Sequence, residues 1–301
     1  MIKIAYDPVF CHPLPEGHRF PMLKYELIPQ QLMQHGIIGK EHLFSPPEVD
    51  EKWILLTHEE DYWQRLKRHQ LSVSEVRRIG FPLTEELILR ERRIVMGTML
   101  CSDFAMQHGV SLNVAGGTHH AGSCWGEGFC LLNDIAIASN YLIKNRKVSK
   151  VLVVDLDVHQ GNGTAEIFKN NDAVFTLSIH GEKNFPFLKE KSNLDIGLPD
   201  GIGDESYMAL LEKTLPDVIR RYCPDFVFYQ SGVDILNSDK LGKLSITKEG
   251  CAARDEFVFE QCRKNGLPVA VTMGGGYSER LADIVDAHCA TFQKAFEIFG
   301  H

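Results

Sequence analysis

The segment KVLVVDLDVHQGNGT, residues 150–164, places an apolar run directly before three regularly spaced polar side chains. Its four consecutive apolar residues, VLVV, are typical of a strand that is covered on both faces. Asp155, Asp157 and His159 follow at every second position, and in an extended chain such side chains point the same way. Two carboxylates and an imidazole on one buried face are costly unless a cation pairs with them. The segment therefore predicts a buried strand that leads to a cation site.

Apolar runs and helical patterns alternate along the rest of the chain. The strand-like runs are IKIAY, SLNVAGG, AVFTLSIH, FVFYQSGVD and PVAVTMGGG. The helical patterns are TEELILRERRIVMGTMLCSDFAMQHG, CLLNDIAIASNYLIKN, DESYMALLEKTLPDVIRRYC, TKEGCAARDEFVFEQCRKNG and SERLADIVDAHCATFQKAFEIFG. This alternation predicts an α/β fold with an open parallel sheet, helices on both faces and right-handed crossovers. Since no linker divides the chain, we expect one domain over residues 1–301.

Composition limits the classes of partner. The formal net charge of −8 argues against a nucleic-acid backbone as the main ligand and suits a basic partner better. No apolar run reaches the roughly 18 residues of a membrane span, and MIKIAYDPVF lacks the basic and apolar regions of a signal peptide. We expect a cytoplasmic protein, or a nuclear one if the source is eukaryotic. The oligomeric state stays open.

Polar side chains collect where the predicted strands end. His119 and His120 follow SLNVAGG, His159 follows VLVVDLDV, Asp234 follows FVFYQSG and Tyr277 follows AVTMGGG. In open parallel sheets, ligands bind beyond the carboxyl ends of the strands. Four strand ends are therefore expected to bring metal-binding, acid–base and hydrogen-bonding groups to one edge of the sheet.

Asp157, His159 and Asp234 offer two oxygen ligands and one nitrogen ligand. Three protein ligands leave a divalent metal with free positions, as in catalytic rather than structural sites. A metal with a free position acidifies a bound water and polarises a carbonyl, and amide hydrolysis needs both effects. The alternative interpretation is a salt-bridged strand end with Asp234 as a helix cap or turn residue.

His119 and His120 are adjacent and follow a glycine pair that allows close backbone approach. They suit a general base and an electrostatic partner, although structural histidines or direct metal ligands are alternatives. Tyr277, after three glycines, suits a hydrogen-bond donor to an oxyanion, whereas the alternative is simple packing. GGG differs from the GxGxxG fingerprint, so a dinucleotide site is not indicated here.

Five motifs in this order, GGTHHAG, GEGFCLLND, DLDVHQGNGT, SGVD and GGGY, resemble the histone deacetylase superfamily, which includes acetoin utilisation proteins and acetylpolyamine amidohydrolases. The segment HPLPEGHRFPMLKYEL is most similar to class IV histone deacetylases and their bacterial relatives. The resemblance implies an arginase- or deacetylase-like fold. It also implies a zinc-dependent amidohydrolase, with Fe2+ as the alternative metal, that removes acetyl or longer fatty acyl groups from lysine side chains.

The resemblance also implies residue roles. His120 matches the general base and acid, His119 its electrostatic partner, and Tyr277 the tyrosine that polarises the scissile carbonyl. Asp155 matches the carboxylate that orients His119. Asn162 stands where several members have an aspartate beside the second histidine, and we expect this amide to give His120 a lower pKa than a carboxylate would.

By the same resemblance, Asp157, His159 and Asp234 match the zinc ligands. A structural K+ site is also implied. Its matching oxygens belong to Asp155, Asp157, His159, Ser178 and Ile179.

Gly128 and Phe129 match the wall of a narrow acyl-lysine tunnel, and Arg19 falls near an arginine at the foot of the cavity. The alternatives are core packing for Phe129 and a surface charge for Arg19. Two other functions remain open: deacetylation of a small molecule such as an acetylpolyamine, and non-catalytic binding of acyl-lysine. The chain has no long insertion of the kind that restricts the tunnel in small-molecule members, and a pure binder would not need the ligand, histidine and tyrosine positions together.

Overall fold

The computed structural model describes residues 1–300, and within them one sheet contains eight strands. The strands are β1 (Lys3–Ala5), β2 (Leu43–Phe44), β3 (Val110–Asn113), β4 (Val151–Asp155), β5 (Val174–Gly181), β6 (Leu194–Leu198), β7 (Phe226–Gln230) and β8 (Val269–Thr272). Every neighbouring pair is parallel, in the order β2-β1-β3-β8-β7-β4-β5-β6. The predicted open parallel sheet is confirmed.

Helices cover both faces of this sheet, as predicted. They are α1 (Lys24–Gln34), α2 (Glu51–Ile54), α3 (Glu60–Lys67), α4 (Val73–Ile79), α5 (Glu85–His108), α6 (Asp134–Lys144), α7 (Asn162–Phe168), α8 (Asp204–Tyr222), α9 (Lys248–Lys264) and α10 (Leu281–Phe299). One group consists of α5 packed on α6, and another of α10 packed on α1 and α9, with α8 against α9. No helix within residues 1–300 combines the length and apolar character needed to cross a bilayer.

The longest helix, α5, begins and ends at residues suited to those positions. The Thr84 side chain accepts a hydrogen bond from the Leu87 N–H, which satisfies one of the free amides of the first turn. Gly109, with φ +85°, closes the other end in a conformation that costs a glycine little. The next residue, Val110, begins the buried strand β3.

Strand β4 is shorter than the sequence pattern predicts. It ends at Asp155, so the prediction that Asp155, Asp157 and His159 share one face of a continuous strand is wrong. The Asp157 N–H donates to Asp155 Oδ1 at 3.2 Å, and the His159 N–H donates to Asp157 Oδ1 at 2.9 Å. The carboxylates of Asp155 and Asp157 thus accept backbone hydrogen bonds in place of a neighbouring strand, and the chain bends after Asp155.

Arg254 on α9 ties together the two loops that leave β4 and β7. It is fully buried, and its Nη1 donates to the carbonyls of Leu156 and Gly232 at 3.2 and 2.7 Å. Its charge is balanced by Asp255, which is also fully buried and lies 2.9 Å away. Arg254 therefore fixes the backbone immediately before Asp157 and just before Asp234.

Replacing Arg254 by Met should lower the free energy of unfolding by about 3–5 kcal/mol, because Asp255 would keep a buried charge without its partner. Chemical denaturation followed by circular dichroism measures this change. Arg220→Met, at an exposed position on α8, is the matched control and should change stability by less than about 1 kcal/mol. Equal effects of the two substitutions would contradict the role given to Arg254.

Candidate active site

The carboxyl ends of four adjacent strands, β3, β8, β7 and β4, meet at one buried cavity. Most of the predicted site residues line this cavity together, although they come from loops that are distant in the sequence. Those residues are His119, His120, Gly128, Phe129, Asp157, His159, Asp234 and Tyr277. The predicted collection of polar groups at one edge of the sheet is therefore present in the structure.

Asp157, His159 and Asp234 form a compact cluster of two oxygen donors and one nitrogen donor. Their nearest donor atoms all lie within 4.8 Å of one another, and all three side chains are buried. His159 Nδ1 lies 3.1 Å from Asp157 Oδ1 and 3.1 Å from Asp234 Oδ2. Two ligand atoms held by one metal at about 2.1 Å in tetrahedral geometry would be separated by roughly 3.4 Å. The observed spacing therefore fits a divalent metal ion.

Each carboxylate of the cluster is also held by the backbone. Asp157 Oδ2 accepts the Gly275 N–H at 2.8 Å, and Asp234 Oδ1 accepts the Val158 N–H at 2.9 Å. A Cβ on Gly275 would lie only 1.9 Å from Asp234 Oδ2, so the loop can approach this closely only without a side chain. Burial, and then the charge of Asp157, raises the pKa of Asp234 to about 7. A bound cation would relieve this unfavourable burial of two like charges.

His119 is paired with Asp155, the residue that the family resemblance implies as its orienting carboxylate. His119 Nδ1 lies 2.7 Å from Asp155 Oδ2, and both residues are buried. The Nε2 atom on the other side of the ring is 3.9 Å from Asp157 Oδ1. The ring thus connects Asp155 with the cluster of Asp157, His159 and Asp234.

His120 is paired with an amide instead. Its Nδ1 lies 2.6 Å from Asn162 Oδ1, while Asn162 Nδ2 donates to Glu127 Oε1 at 2.5 Å. Because Glu127 accepts from the amide nitrogen, the amide oxygen faces His120, whose Nδ1 must then carry the hydrogen. The other ring nitrogen, Nε2, is left to accept a proton. Glu127 was not predicted, although it lies in the GEGFC motif directly before Gly128.

The two adjacent histidines have opposite pKa shifts. Burial lowers the pKa of His119, but the charges of Asp155 and Asp157 outweigh burial and raise it to about 9. Burial, followed by the positive charges of His119 and His159, holds the pKa of His120 well below its ordinary value of 6.5. His119 is therefore a cation at neutral pH and His120 a neutral base. Such a separation is typical of paired groups with different roles in acid–base catalysis.

Tyr277 lies between the buried cavity and the surface. Its backbone N–H donates to Asp239 Oδ2 at 2.6 Å, and its ring lies 6.4 Å from that of His159. Burial, followed by the charges of Asp234 and Asp157, raises the pKa of Tyr277 well above 10. The hydroxyl therefore stays protonated at neutral pH and is available as a donor.

Two phenylalanines flank the passage from the surface to the cluster. Phe129 lies 6.0 Å from the Tyr277 ring, and Phe185 lies 5.0 Å from the His120 ring, both measured between centroids. Gly128, whose φ is +56°, brings the backbone so close that a Cβ there would lie 2.7 Å from His120 Cδ2. Phe185 was not predicted, because the loop after β5 has no periodic pattern.

Arg19 lies at the mouth of this passage and not at its foot. Its side chain is exposed, and its guanidinium carbon lies 5.0 Å from the centre of the Phe129 ring. The next residue, Phe20, takes the inward position and lines the buried cavity. The arginine that lines the buried cavity is Arg90 on α5, which is paired with Glu91.

The mouth carries a cluster of positive charges. Four cations line it, and no carboxylate of the described residues does. We call these four residues the cationic rim: Arg19, Arg78, Lys183 and Lys243.

Part of the predicted K+ site is adjacent in the sheet. Asp155 and Ser178 are direct partners between β4 and β5, and Ile179 follows on β5. Ser178 Oγ lies 2.9 Å from His180 Nδ1, so this oxygen already has a polar partner. The K+ site stays a prediction.

Comparison with known proteins identifies the class to which this fold and site belong. Residues 18–292 match the family model described as the histone deacetylase domain. The chain therefore belongs to the histone deacetylase family, and the predicted resemblance is confirmed. The assignment to class IV stays a prediction.

The chain covers different shares of the individual relatives that it matches. The chain is 41% identical over 296 residues to a protein of Picosynechococcus sp. described as uncharacterized, and covers 99% of it. It is 28% identical to histone deacetylase 2 of Arabidopsis thaliana and 29% identical to human histone deacetylase 1, and covers 75% and 61% of these proteins. The structure is also similar to a crystal structure of the HDA15 HD domain, with a TM-score of 0.82 and 21% identity over the whole chain. This similarity supports the fold.

Replacing Asn162 by Asp should raise the pKa of His120, because a carboxylate beside Nδ1 favours the charged ring. NMR titration of the imidazole measures the shift directly. In any reaction in which neutral His120 accepts a proton, the acidic limb of the kcat/KM profile should then move to higher pH. An unchanged limb, or one moved to lower pH, would contradict the contact between Asn162 and the base.

Proposed function

We propose that this member of the deacetylase family hydrolyses the amide between an acyl group and a lysine side chain of a protein or peptide. The observation that supports the proposal best is the passage between Phe129 and Phe185. Its entrance is lined by aromatic side chains, and the cavity behind it contains the buried Asp157, His159 and Asp234 cluster. An acyl-lysine side chain is a long apolar rod with one amide near its end, so it suits such a passage.

Asp157, His159 and Asp234 are the proposed ligands of Zn2+, with Fe2+ as the alternative. Two carboxylates and one imidazole suit either metal and leave free coordination positions. When bound, the metal would act as a Lewis acid on the amide carbonyl and make water more acidic. The structural K+ site remains a proposal on Asp155, Ser178 and Ile179, with the main chain of Asp157 and His159.

The remaining roles follow from the protonation states of the surrounding groups. His120, neutral at pH 7, takes a proton from the attacking water at Nε2 and returns it to the leaving lysine amine. His119, held as a cation by Asp155, stabilises negative charge that develops beside it. Tyr277 donates its hydroxyl hydrogen to the carbonyl oxygen as that oxygen becomes an oxyanion.

The rival substrate class is an acetylated polyamine, which carries positive charge of its own. The cationic rim would repel such a molecule, and this favours the protein or peptide substrate. Non-catalytic binding of acyl-lysine is the other alternative. The different partners of the two histidines favour catalysis over binding alone, since His119 is paired with a carboxylate at 2.7 Å and His120 with an amide oxygen at 2.6 Å, and a binding site has no use for this difference.

Tyr277→Phe should reduce kcat for an acyl-lysine peptide by about 10²- to 10³-fold, because the hydroxyl acts on charge present only in the transition state. Bound metal, measured by elemental analysis, should be unchanged. Turnover is assayed on lysine peptides with acyl groups from acetyl to myristoyl, with acetylspermidine alongside. Tyr222→Phe is the matched control, because Tyr222 ends α8 just before β7 begins and therefore lies at the amino ends of the strands, opposite the cavity.

Three outcomes would contradict the proposal. One is near-normal turnover by Tyr277→Phe. The second is activity that a hydroxamate chelator leaves unchanged. The third is turnover of acetylspermidine without turnover of any peptide, which would assign the site to the small-molecule class.

A further inference from the structure

The cationic rim is local, since the chain as a whole has a net charge of −8. Its four members line a surface cavity that shares His120, Gly128, Phe129, His159 and Tyr277 with the buried cavity of the cluster. Arg19, Arg78 and Lys243 form no ion pair with any carboxylate of residues 1–300. Lys183 lies 3.6 Å from Asp200, but both side chains are exposed, and such pairs cancel little charge in water.

The rim charges stand on both sides of the passage. On the Phe129 side, Arg19 lies over the ring, and Arg78 Nε donates to the Gly126 carbonyl at 3.3 Å. On the Phe185 side, Lys243 Nζ donates to the Lys183 carbonyl at 3.2 Å. A chain crossing the mouth would therefore meet positive charge before and after the residue that enters.

We propose that the substrate carries acidic residues on both sides of the acyl-lysine. This inference rests on the proposed function and names the substrate class of the same site. Neighbouring residues of an extended peptide lie about 3.5 Å apart along the chain, so the residues next to the acyl-lysine would lie over the rim. Net charge alone favours a basic partner, whereas the charges at the mouth favour an acidic one. Complementary charge of this kind mainly determines specificity and association rate.

The test compares three acyl-lysine peptides that differ only in the two flanking residues: Glu, Gln or Lys. At about 50 mM ionic strength, kcat/KM should fall in that order, with roughly a tenfold difference between Glu and Lys peptides. At about 1 M salt, where the screening length is about 3 Å, the preference should nearly disappear. Equal rates, or a preference for flanking Lys, would overturn the inference.

Variants show whether the rim causes the preference. Lys183→Gln combined with Lys243→Gln should reduce the Glu-over-Lys ratio at least threefold. The matched control combines Lys144→Gln with Lys264→Gln. These exposed lysines lie at the ends of α6 and α9, at the opposite edge of the sheet, and the control should keep the full ratio. Equal ratios in both double variants would also overturn the inference.

Binding separates this inference from the proposed function. Fluorescence anisotropy with labelled forms of the same three peptides reports the charge preference even without turnover. If none of the peptides is hydrolysed but the Glu peptide binds most tightly, the proposed function fails and the charge preference stands.

The exposed side chains of Phe187 and Leu188 beside the mouth suggest one competing role. The protein would then co-sediment with phosphatidylserine vesicles, the Lys183→Gln, Lys243→Gln variant would not, and the three peptides would react at equal rates. This combined result would assign the rim to an anionic membrane and overturn the proposal.

Discussion

The burial of Asp157 and Asp234 beside each other is the constraint on which the rest of the site depends. Two adjacent carboxylates in a protein interior repel each other and lose their hydration, so the surrounding structure must compensate for both effects. Two backbone N–H groups, from Gly275 and Val158, each neutralise part of the charge. His159 supplies a third partner between the carboxylates, and a divalent metal ion would supply most of the remaining compensation.

This constraint also explains features that lie farther from the cluster. Gly275 has no side chain because one would collide with Asp234, and Arg254 holds the carbonyls of the two loops that carry the carboxylates. The neighbouring histidines then differ through their partners and through the charges around them, since the positive charges of His119 and His159 also lower the pKa of His120. His119 faces the carboxylate of Asp155 and becomes a cation, whereas His120 faces the amide of Asn162 and stays neutral. One dipeptide thereby supplies two chemically different groups.

The sequence was most informative where residues are buried in regular structure. The apolar strands predicted the central sheet and the convergence of four strand ends, and ordered motifs predicted the family. The edge strands β2 and β6 were missed because they are short or half-exposed. The length of β4 was overestimated because Asp155 and Asp157 accept backbone hydrogen bonds, which no alternation pattern records. Phe185, Glu127 and Arg90 were missed because they reach the site from loops or helices without a local signal.

The central claim is that a divalent metal compensates for the buried carboxylates. The most direct test is the free energy of unfolding of metal-free wild-type protein and Asp234→Asn, each with and without added Zn2+. Without metal, the variant should be at least as stable as the wild type, because it lacks one of the two like charges. Zn2+ at 100 times its dissociation constant should stabilise the wild type by about 2.7 kcal/mol and the variant much less. Equal stabilisation of both proteins by Zn2+, or a metal-free variant clearly less stable than the wild type, would contradict the account.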